Sequence, residues 1–337
     1  MTGLSDAFNR PISYLRVSVT DRCNLRCIYC MPPQGVALLS HEDILSYEEI
    51  AAFVRAASTL GISKVRLTGG EPLVRAGLPG LVKMLAEINA IDDISLTTNG
   101  ILLAEHAREL KAAGLKRVNV SLDSLRPERF EKITRHGKLE QVLRGIEAAK
   151  ACGLEPVKVN VVVMQGVNDD EVLDFARLSI SDGWHVRFIE LMPFGGDNPP
   201  LGHTLIAPQS AVHFVAAAET MGQLASLGKL EPCLPPRGNG PARYYRFPDA
   251  RGTIGFVTPV SEHFCFNCNR LRLTADGKLR PCLLSDLEVD VRQHLRQNAS
   301  VEKLQEVIAG AVKSKPRQHK LAEGKTARKR LMSQVGG

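Results

Sequence analysis

The sequence lacks any apolar run long enough to cross a bilayer, and its N-terminus lacks the basic-then-apolar order of a secretory signal. We therefore expect a cytoplasmic protein that does not contact a membrane. Aromatic side chains are also scarce in its basic parts: Trp184 is the only tryptophan, and no Phe, Tyr or Trp follows Lys313. Because proteins hold single-stranded nucleic acids largely by stacking bases on aromatic rings, we expect no nucleic-acid partner.

The composition is that of an ordinary globular protein, with 44% hydrophobic and 23% charged residues in a chain of 337. The net charge is +7, and much of the excess lies in residues 313–320 and 325–330. Such an excess is compatible with a solvated surface, a nucleic acid or an anionic small molecule. Eight cysteines without a secretory signal indicate a reducing compartment in which thiols serve as metal ligands.

Three cysteines, Cys23, Cys27 and Cys30, form a C-x3-C-x2-C run. A [4Fe–4S] cluster has four irons, so three thiolates leave one iron without a protein ligand and open to chemistry. Structural zinc normally takes four ligands, and a set of disulfides would leave one thiol over. The run therefore predicts an iron–sulfur cluster with one open iron.

A second group, Cys265, Cys268 and Cys282, has the spacing C-x2-C-x13-C, which is less specific. It is compatible with a zinc site that uses His263 as the fourth ligand, or with a second [4Fe–4S] cluster. The open iron of such a cluster is a Lewis acid that can coordinate a nitrogen or oxygen of a substrate. The remaining cysteines lie near a helix end and in a linker, and we do not expect them to be ligands.

The first 190 or so residues alternate apolar strands with amphipathic helices, the pattern of a parallel βα fold. Six βα units fall short of the eight of a closed barrel. The fold class is therefore α/β, a partial (β/α)6 TIM-like barrel with a C-terminal extension that carries the second Fe–S cluster. We assign residues 1–240 to the barrel and 241–337 to a C-terminal domain, joined by a turn-rich linker at 232–241. The predicted strands are Tyr14–Val19, Lys64–Thr68, Ile94–Thr98, Arg117–Leu122, Val157–Val163 and His185–Glu190.

Chemically suggestive residues follow several of these strands, at the edge where barrel enzymes carry their active sites. The cysteine run follows the first strand, residues 69–72 (Gly-Gly-Glu-Pro) follow the second, and residues 192–193 (Met-Pro) follow the sixth. Arg270 and Arg272 alternate like residues on one face of a strand, so both can point at one ligand. A triphosphate carries about four negative charges and suits the bidentate hydrogen bonds of arginine.

With the aromatic residue before its last cysteine, the first run resembles the radical S-adenosylmethionine (radical SAM) superfamily. Within it, the chain resembles the GTP 3′,8-cyclase (MoaA) family, which begins molybdenum cofactor biosynthesis. The resemblance covers nearly the whole chain. It is carried by residues 14–21, 66–72, 97–100, 187–193 and 264–274 and by the terminal Gly336-Gly337.

The resemblance implies a role for each matching residue. Two [4Fe–4S] clusters and S-adenosylmethionine (SAM) would be the cofactors. The first cluster would be bound by Cys23, Cys27 and Cys30, the second by Cys265, Cys268 and Cys282, and SAM by Tyr29, Gly70, Ser121 and Met192. GTP would be contacted by Arg16, Arg66, Thr97, Lys158, Arg270 and Arg272, with Arg187 and Lys64 as further candidates. Catalytic roles would fall to Arg270, Arg272, Gly336 and Gly337, the last two in a mobile tail.

The implied reaction is the cyclisation of GTP to (8S)-3′,8-cyclo-7,8-dihydroguanosine 5′-triphosphate, with a flavodoxin- or ferredoxin-type electron donor and a homodimeric enzyme. One alternative is another radical SAM enzyme with an auxiliary cluster, such as a peptide maturase. The Arg270/Arg272 pair and the three C-terminal ligand cysteines favour the cyclase. A second alternative, a zinc-stapled nucleic-acid-binding protein, would need aromatic stacking residues among its charges.

Overall fold

The fold is built around one open, mostly parallel sheet. A computed structural model describes residues 3–193, 204–205, 211–238 and 240–336. The strands in these residues are β1 (Tyr14–Ser18), β2 (Lys64–Thr68), β3 (Asp93–Thr98), β4 (Arg117–Ser121), β5 (Lys158–Gln165), β6 (His185–Glu190), β7 (Thr204–Leu205), β8 (Ala211–Phe214), β9 (Glu231–Pro232), β10 (Arg243–Arg246), β11 (Thr253–Val257), β12 (Arg270–Leu273), β13 (Lys278–Arg280) and β14 (Val289–Asp290).

Helices cover the outer face of the sheet. In the same residues they are α1 (Tyr47–Thr59), α2 (Leu78–Ala86), α3 (Leu103–Ala112), α4 (Pro127–Thr134), α5 (Leu139–Ala151), α6 (Val172–Ser181), α7 (Ala217–Leu224), α8 (Arg292–Arg296) and α9 (Val301–Lys313). None of the described helices combines the length and apolar character that a bilayer crossing requires.

The partial barrel predicted from the sequence is confirmed, and its six strands lie within about two residues of the predicted bounds. The structure adds two parallel strands at the edges: β11 pairs with β6, and β12 pairs with β1. The sheet does not close, because β11 and β12 do not pair with each other. The outer neighbour of β11 is the antiparallel strand β10, and the outer neighbour of β12 is the antiparallel strand β13. Residues 258–269, which join β11 to β12, therefore cross the opening of the barrel and carry Cys265 and Cys268.

The two faces of the strands differ in polarity. Along β5, Val159, Val161 and Val163 belong to the core between sheet and helices, while Lys158 and Asn160 alternate with them. The other parallel strands show the same alternation, so polar side chains fill the inside of the arc. A closed TIM barrel packs mainly branched apolar residues there. The polar interior indicates that this barrel holds a ligand.

Local sequence signals account for the helices that position the site. The sequence pattern of a capping box at Ser46 and Glu49 is confirmed at the start of α1, where each side chain accepts from the other's backbone N–H. Apolar residues at helical spacing in α1 are buried, with Ile50, Phe53 and Val54 fully enclosed. A similar apolar stripe lies along α5, although Leu143 is only partly buried.

The region between β6 and β10 contains more regular structure than the sequence pattern predicts. Helix α7 lies here and packs against β6 and α6, although its eight residues are too few for a clear helical period. The Gly-, Asn- and Pro-rich sequence at residues 195–200 predicts a loop, and this segment lies outside the described residues. The division into domains at residues 240 and 241 stays a prediction.

Replacing Ser46 by alanine should lower the free energy of unfolding by about 1 kcal/mol, because the α1 N-terminus then loses its side-chain cap. Urea unfolding followed by circular dichroism would measure the change. Ser226→Ala is the matched control, since this exposed hydroxyl donates to the Gln223 carbonyl and caps none of the described helices at its N-terminus. An equal loss in both variants would contradict a specific role of the cap.

Candidate active site

One cavity of about 330 Å³ lies at the C-terminal ends of the parallel strands. Its wall contains both cysteine groups, so residues far apart in sequence meet around a single space. It also contains every predicted SAM residue and most predicted GTP residues. The predicted site residues in the wall are Arg16, Cys23, Cys27, Tyr29, Cys30, Arg66, Gly70, Thr97, Ser121, Arg187, Met192, Cys265, Cys268, Arg270, Arg272 and Cys282.

The first cysteine group forms a compact set of protonated thiols. Burial raises the pKa of Cys23 to about 11 and that of Cys30 to about 12, and neighbouring thiols and carboxylates add to the effect. Burial also raises the pKa of Cys27 well above its usual value. All three are free of disulfides. Such thiols ionise readily only beside a metal, so they fit an iron–sulfur cluster.

The loop after β2 packs directly onto the loop that bears the first cysteines. A Cβ on Gly70 would lie 2.4 Å from the Arg22 carbonyl oxygen, so only glycine fits here. Glu71 accepts hydrogen bonds from the Asn99 N–H at 2.6 Å and the Thr98 hydroxyl at 2.8 Å. Burial raises the pKa of Glu71 to about 7, although these bonds oppose it. The structure thus gives Gly70 a packing role beside its predicted place at SAM.

Asp123 is a carboxylate of the site that the predicted residue set omits. Its Oδ2 accepts the hydroxyl of Tyr29 at 2.7 Å, and its Oδ1 accepts the N–H of Val162 at 2.8 Å. Burial raises the pKa of Asp123 to about 6. The carboxylate therefore fixes the ring that precedes Cys30. Its position directly after β4 was the sequence signal for it.

The second cysteine group has a cationic environment. Arg270 lies with its Nη2 3.7 Å from the sulfur of Cys268. Burial alone raises the pKa of Cys268, but Arg270 and Lys315 outweigh it and lower the value to about 6. Burial raises the pKa of Cys265, and the other two thiols of the group contribute, which shows that the three lie close together.

In the part of the chain that the structure describes, the cysteine and histidine side chains of the second group do not form a site for a single metal ion such as zinc. Among the described residues, no three His, Cys, Asp or Glu side chains converge tightly enough to hold one metal ion. A zinc site formed by the second cysteines and His263 would need such convergence. The ring of His263 instead lies edge-on to that of His319, with centroids 5.4 Å apart.

Cations surround the interior end of the cavity. Arg66 donates from Nε to the Tyr14 hydroxyl and from Nη1 to Thr97 at 3.3 Å. Burial lowers the pKa of Arg16 to about 10. The pKa of Arg272 lies well below its usual value because the side chain is buried and because Arg16 and Arg270 are nearby. The neighbouring arginines add to the effect of burial, so several cations lie close together here, as they would in a site for a polyanion.

Two predicted GTP residues, Lys158 and Lys64, do not line the cavity. The Lys158 Nζ donates to the carbonyls of Pro236 at 3.1 Å and Arg237 at 2.7 Å. Burial and the nearby arginines lower the pKa of Lys158 to about 6. Gly238 lies against it, since a Cβ there would be 2.7 Å from Nζ. The turn-rich linker thus reaches the base of the cation cluster.

The C-terminal tail enters this site. The carbonyl of Gly336 accepts hydrogen bonds from Arg16 Nη2 at 3.1 Å and from Arg272 Nη1 at 2.9 Å. Gly336 has φ +70°, and a Cβ on it would lie 2.3 Å from the Thr68 hydroxyl. The Ser333 N–H bonds the Cys30 sulfur. Gly337 lies outside the described residues.

Sequence reasoning missed several further polar residues of the interior, including Arg117, Asn119 and Asn160. Asn119 and Asn160 line the cavity, while Arg117 is buried, pairs with Asp93 and leaves its Nε and Nη1 without partners among the described residues. These residues alternate with core valines in β4 and β5, and this alternation is the sequence signal that they face the barrel interior. A reading of which strand face points inward would have found them.

Comparison with known proteins agrees with this geometry. Residues 17–179 match the Radical SAM superfamily, and residues 184–321 match the family described as Molybdenum Cofactor Synthesis C. The GTP 3′,8-cyclase of Desulforamulus reducens is 52% identical over 332 residues, which is 98% of this chain and 99% of that protein. The GTP 3′,8-cyclase of Heliobacterium modesticaldum is 53% identical over 334 residues, 98% of this chain and 99% of its own length.

Among solved structures, SuiB of Streptococcus suis aligns with a TM-score of 0.58 at 13% identity, covering 89% of this chain and 68% of that one. A likeness at this identity shows the shared fold alone. The near-full-length identity to the cyclases is what assigns the family. The chain belongs to the GTP 3′,8-cyclase family of radical SAM enzymes, whose members require a [4Fe–4S] cluster and SAM.

Proposed function

We propose that this protein converts GTP to (8S)-3′,8-cyclo-7,8-dihydroguanosine 5′-triphosphate, the first step of molybdenum cofactor biosynthesis. The observation that carries the proposal is the meeting of two three-cysteine groups and a cluster of buried arginines around one cavity. One group of thiols serves radical generation and the other serves binding of the base. The arginines between them suit a triphosphate.

In this proposal Cys23, Cys27 and Cys30 would hold the first cluster, which together with SAM would supply the radical chemistry at the GTP ribose. The protein's own residues orient the reactants and exclude water. Tyr29, fixed by Asp123, and the Gly70 loop shape the SAM side of the cavity. Ser121 and Met192 complete that wall.

We further propose a second [4Fe–4S] cluster on Cys265, Cys268 and Cys282, with an open iron that binds the guanine base. Its support is the mutual closeness of the three thiols and their place in the same cavity wall. GTP would then be contacted by Arg16, Arg66, Thr97, Arg270 and Arg272. Lys158, which lies beneath these arginines, would reach the triphosphate. With its guanine base held by the second cluster and its phosphates held by the cations, GTP would have its ribose fixed near SAM.

Other parts of the proposal rest on the family. The electron donor is of the flavodoxin or ferredoxin type, and the enzyme is a homodimer. The C-terminal domain begins near residue 241. The protein acts in the cytoplasm, since its substrates are cytoplasmic metabolites.

The test is anaerobic incubation of the reconstituted protein with SAM, dithionite and each of the four ribonucleoside triphosphates. Formation of 5′-deoxyadenosine with consumption of GTP alone is the expected result. SAM cleavage without nucleotide loss would refute GTP as the substrate and favour the alternative, a peptide-modifying radical SAM enzyme.

Deleting Gly336 and Gly337 should abolish cyclisation while both clusters remain, because Arg16 and Arg272 lose the Gly336 carbonyl that positions them. Product formation and iron content would be measured together. Gly336→Ala should act in the same direction. Gly324→Ala is its control, since that glycine shares the φ of +70° but has open space around it. Full cyclase activity in the truncated protein would refute a role for the tail.

GTP binding at pH 7 to 8 should take up a proton at Lys158. The lowered pKa of about 6 means that this lysine is largely neutral above pH 6 in the free protein. A neighbouring triphosphate favours the ammonium form and raises the pKa, so affinity falls as pH rises. Calorimetry in buffers of different ionisation enthalpy measures the uptake.

Because GTP itself also titrates in this range, the informative quantity is the difference between wild type and Lys158→Met. The variant should take up fewer protons and bind GTP more weakly. Lys150→Met, which alters a lysine on the outer helix α5, serves as the control. Equal proton uptake in wild type and Lys158→Met would show that Lys158 does not sense the triphosphate.

A further inference from the structure

Lys315 is a buried cation in a segment that the proposed function does not use. The basic stretch at residues 313–320 suggested a solvated surface, and Lys313, Arg317 and Lys320 are indeed exposed. Lys315, by contrast, is only 4% exposed. A buried ammonium is costly unless its protons and its charge are matched, so the surroundings of Lys315 indicate what it does.

The ammonium joins the two chain segments that present Cys268 and Cys282. Lys315 Nζ donates to the Arg270 carbonyl at 2.8 Å and to the Pro281 carbonyl at 2.5 Å. Arg270 follows Cys268 by two residues, and Pro281 directly precedes Cys282. The ladder between β12 and β13 ends at the pair Arg272 and Arg280.

The next residue, Pro281, cannot donate a ladder hydrogen bond to β12, since proline has no backbone N–H. Lys315 therefore connects the two segments at the point where strand pairing stops. Its charge also lowers the pKa of the Cys268 thiol, so the ammonium lies near the second cysteine group.

The third cysteine is tied to the same C-terminal segment by a different cation. Arg10 donates from Nη1 to the Cys265 carbonyl at 2.6 Å and to the Arg317 carbonyl at 2.7 Å. Its Nη2 bonds the Pro316 carbonyl at 2.7 Å, and Asp6 accepts from its Nε. Residues 315–317 are thus a common anchor for all three cysteine-bearing segments.

We propose that Lys315 is a positioning residue for the second cluster. It holds the Cys268 and Cys282 segments at the required separation, and its positive charge offsets the negative charge of the thiolates. The inference rests on the second cluster of the proposed function. Outer partners of metal ligands commonly tune both affinity and electronic properties. Lys315 has both means, because it bonds the backbone on either side and places a positive charge beside one sulfur.

The test uses full-length protein in which Cys23, Cys27 and Cys30 are replaced by alanine, so that only the second cluster can form. In this background Lys315→Met, Lys315→Arg and the exposed control Lys313→Met are compared. The readouts are the rate of iron loss to a chelator and the reduction potential from a titration followed by electron paramagnetic resonance.

Lys315→Met should lose iron roughly tenfold faster, the low end of outer-partner effects. Its potential should shift to more negative values, because adding an electron is harder without the nearby positive charge. Lys315→Arg should keep the potential, since it keeps the charge. Lys313→Met should change neither quantity.

An unchanged potential and iron-loss rate in Lys315→Met would overturn the proposal. If that variant fails to fold, as judged by circular dichroism, Lys315→Gln replaces it, since glutamine keeps a hydrogen-bond donor and removes the charge: a more negative potential supports the charge role, and an unchanged potential refutes it. Absence of iron in the background protein with Lys315 intact would instead refute the second cluster itself.

Discussion

The inside of the barrel carries more positive charge than its own carboxylates balance, and the rest of the site depends on this excess. Asp93 is the carboxylate that pairs with a cation there, and it serves Arg117. Like charges that lie close together in a partly buried site repel one another, so an anionic ligand would stabilise this cluster. The cations are Arg16, Arg66, Arg117, Lys158, Arg187, Arg270 and Arg272.

The excess is possible because the barrel is open. A closed barrel fills its interior with apolar side chains, whereas here β11 and β12 do not pair with each other and the sheet stays open. The segment that crosses the opening of the barrel carries Cys265 and Cys268. The same open topology thus brings the second cysteine group into the wall of the cavity that contains the first.

The two cysteine groups lie in opposite electrostatic surroundings. Glu71 and Asp123 lie near the first and add to the raised pKa values of its thiols. Arg270 and Lys315 lie near the second and lower the pKa of Cys268. One cavity therefore has carboxylates beside its first cysteine group and cations beside its second.

The sequence by itself determined the six barrel strands, the α1 cap, both cysteine groups and most wall residues, because these depend on local periodicity and on motifs of fixed spacing. It did not reveal β11 and β12 as parallel edge strands, since their partners β6 and β1 are far away along the chain. Nor could it separate Lys315, which anchors cysteine-bearing segments, from its exposed neighbour Lys313. Burial and partner choice are set by packing between distant segments, and only the tertiary structure decides them.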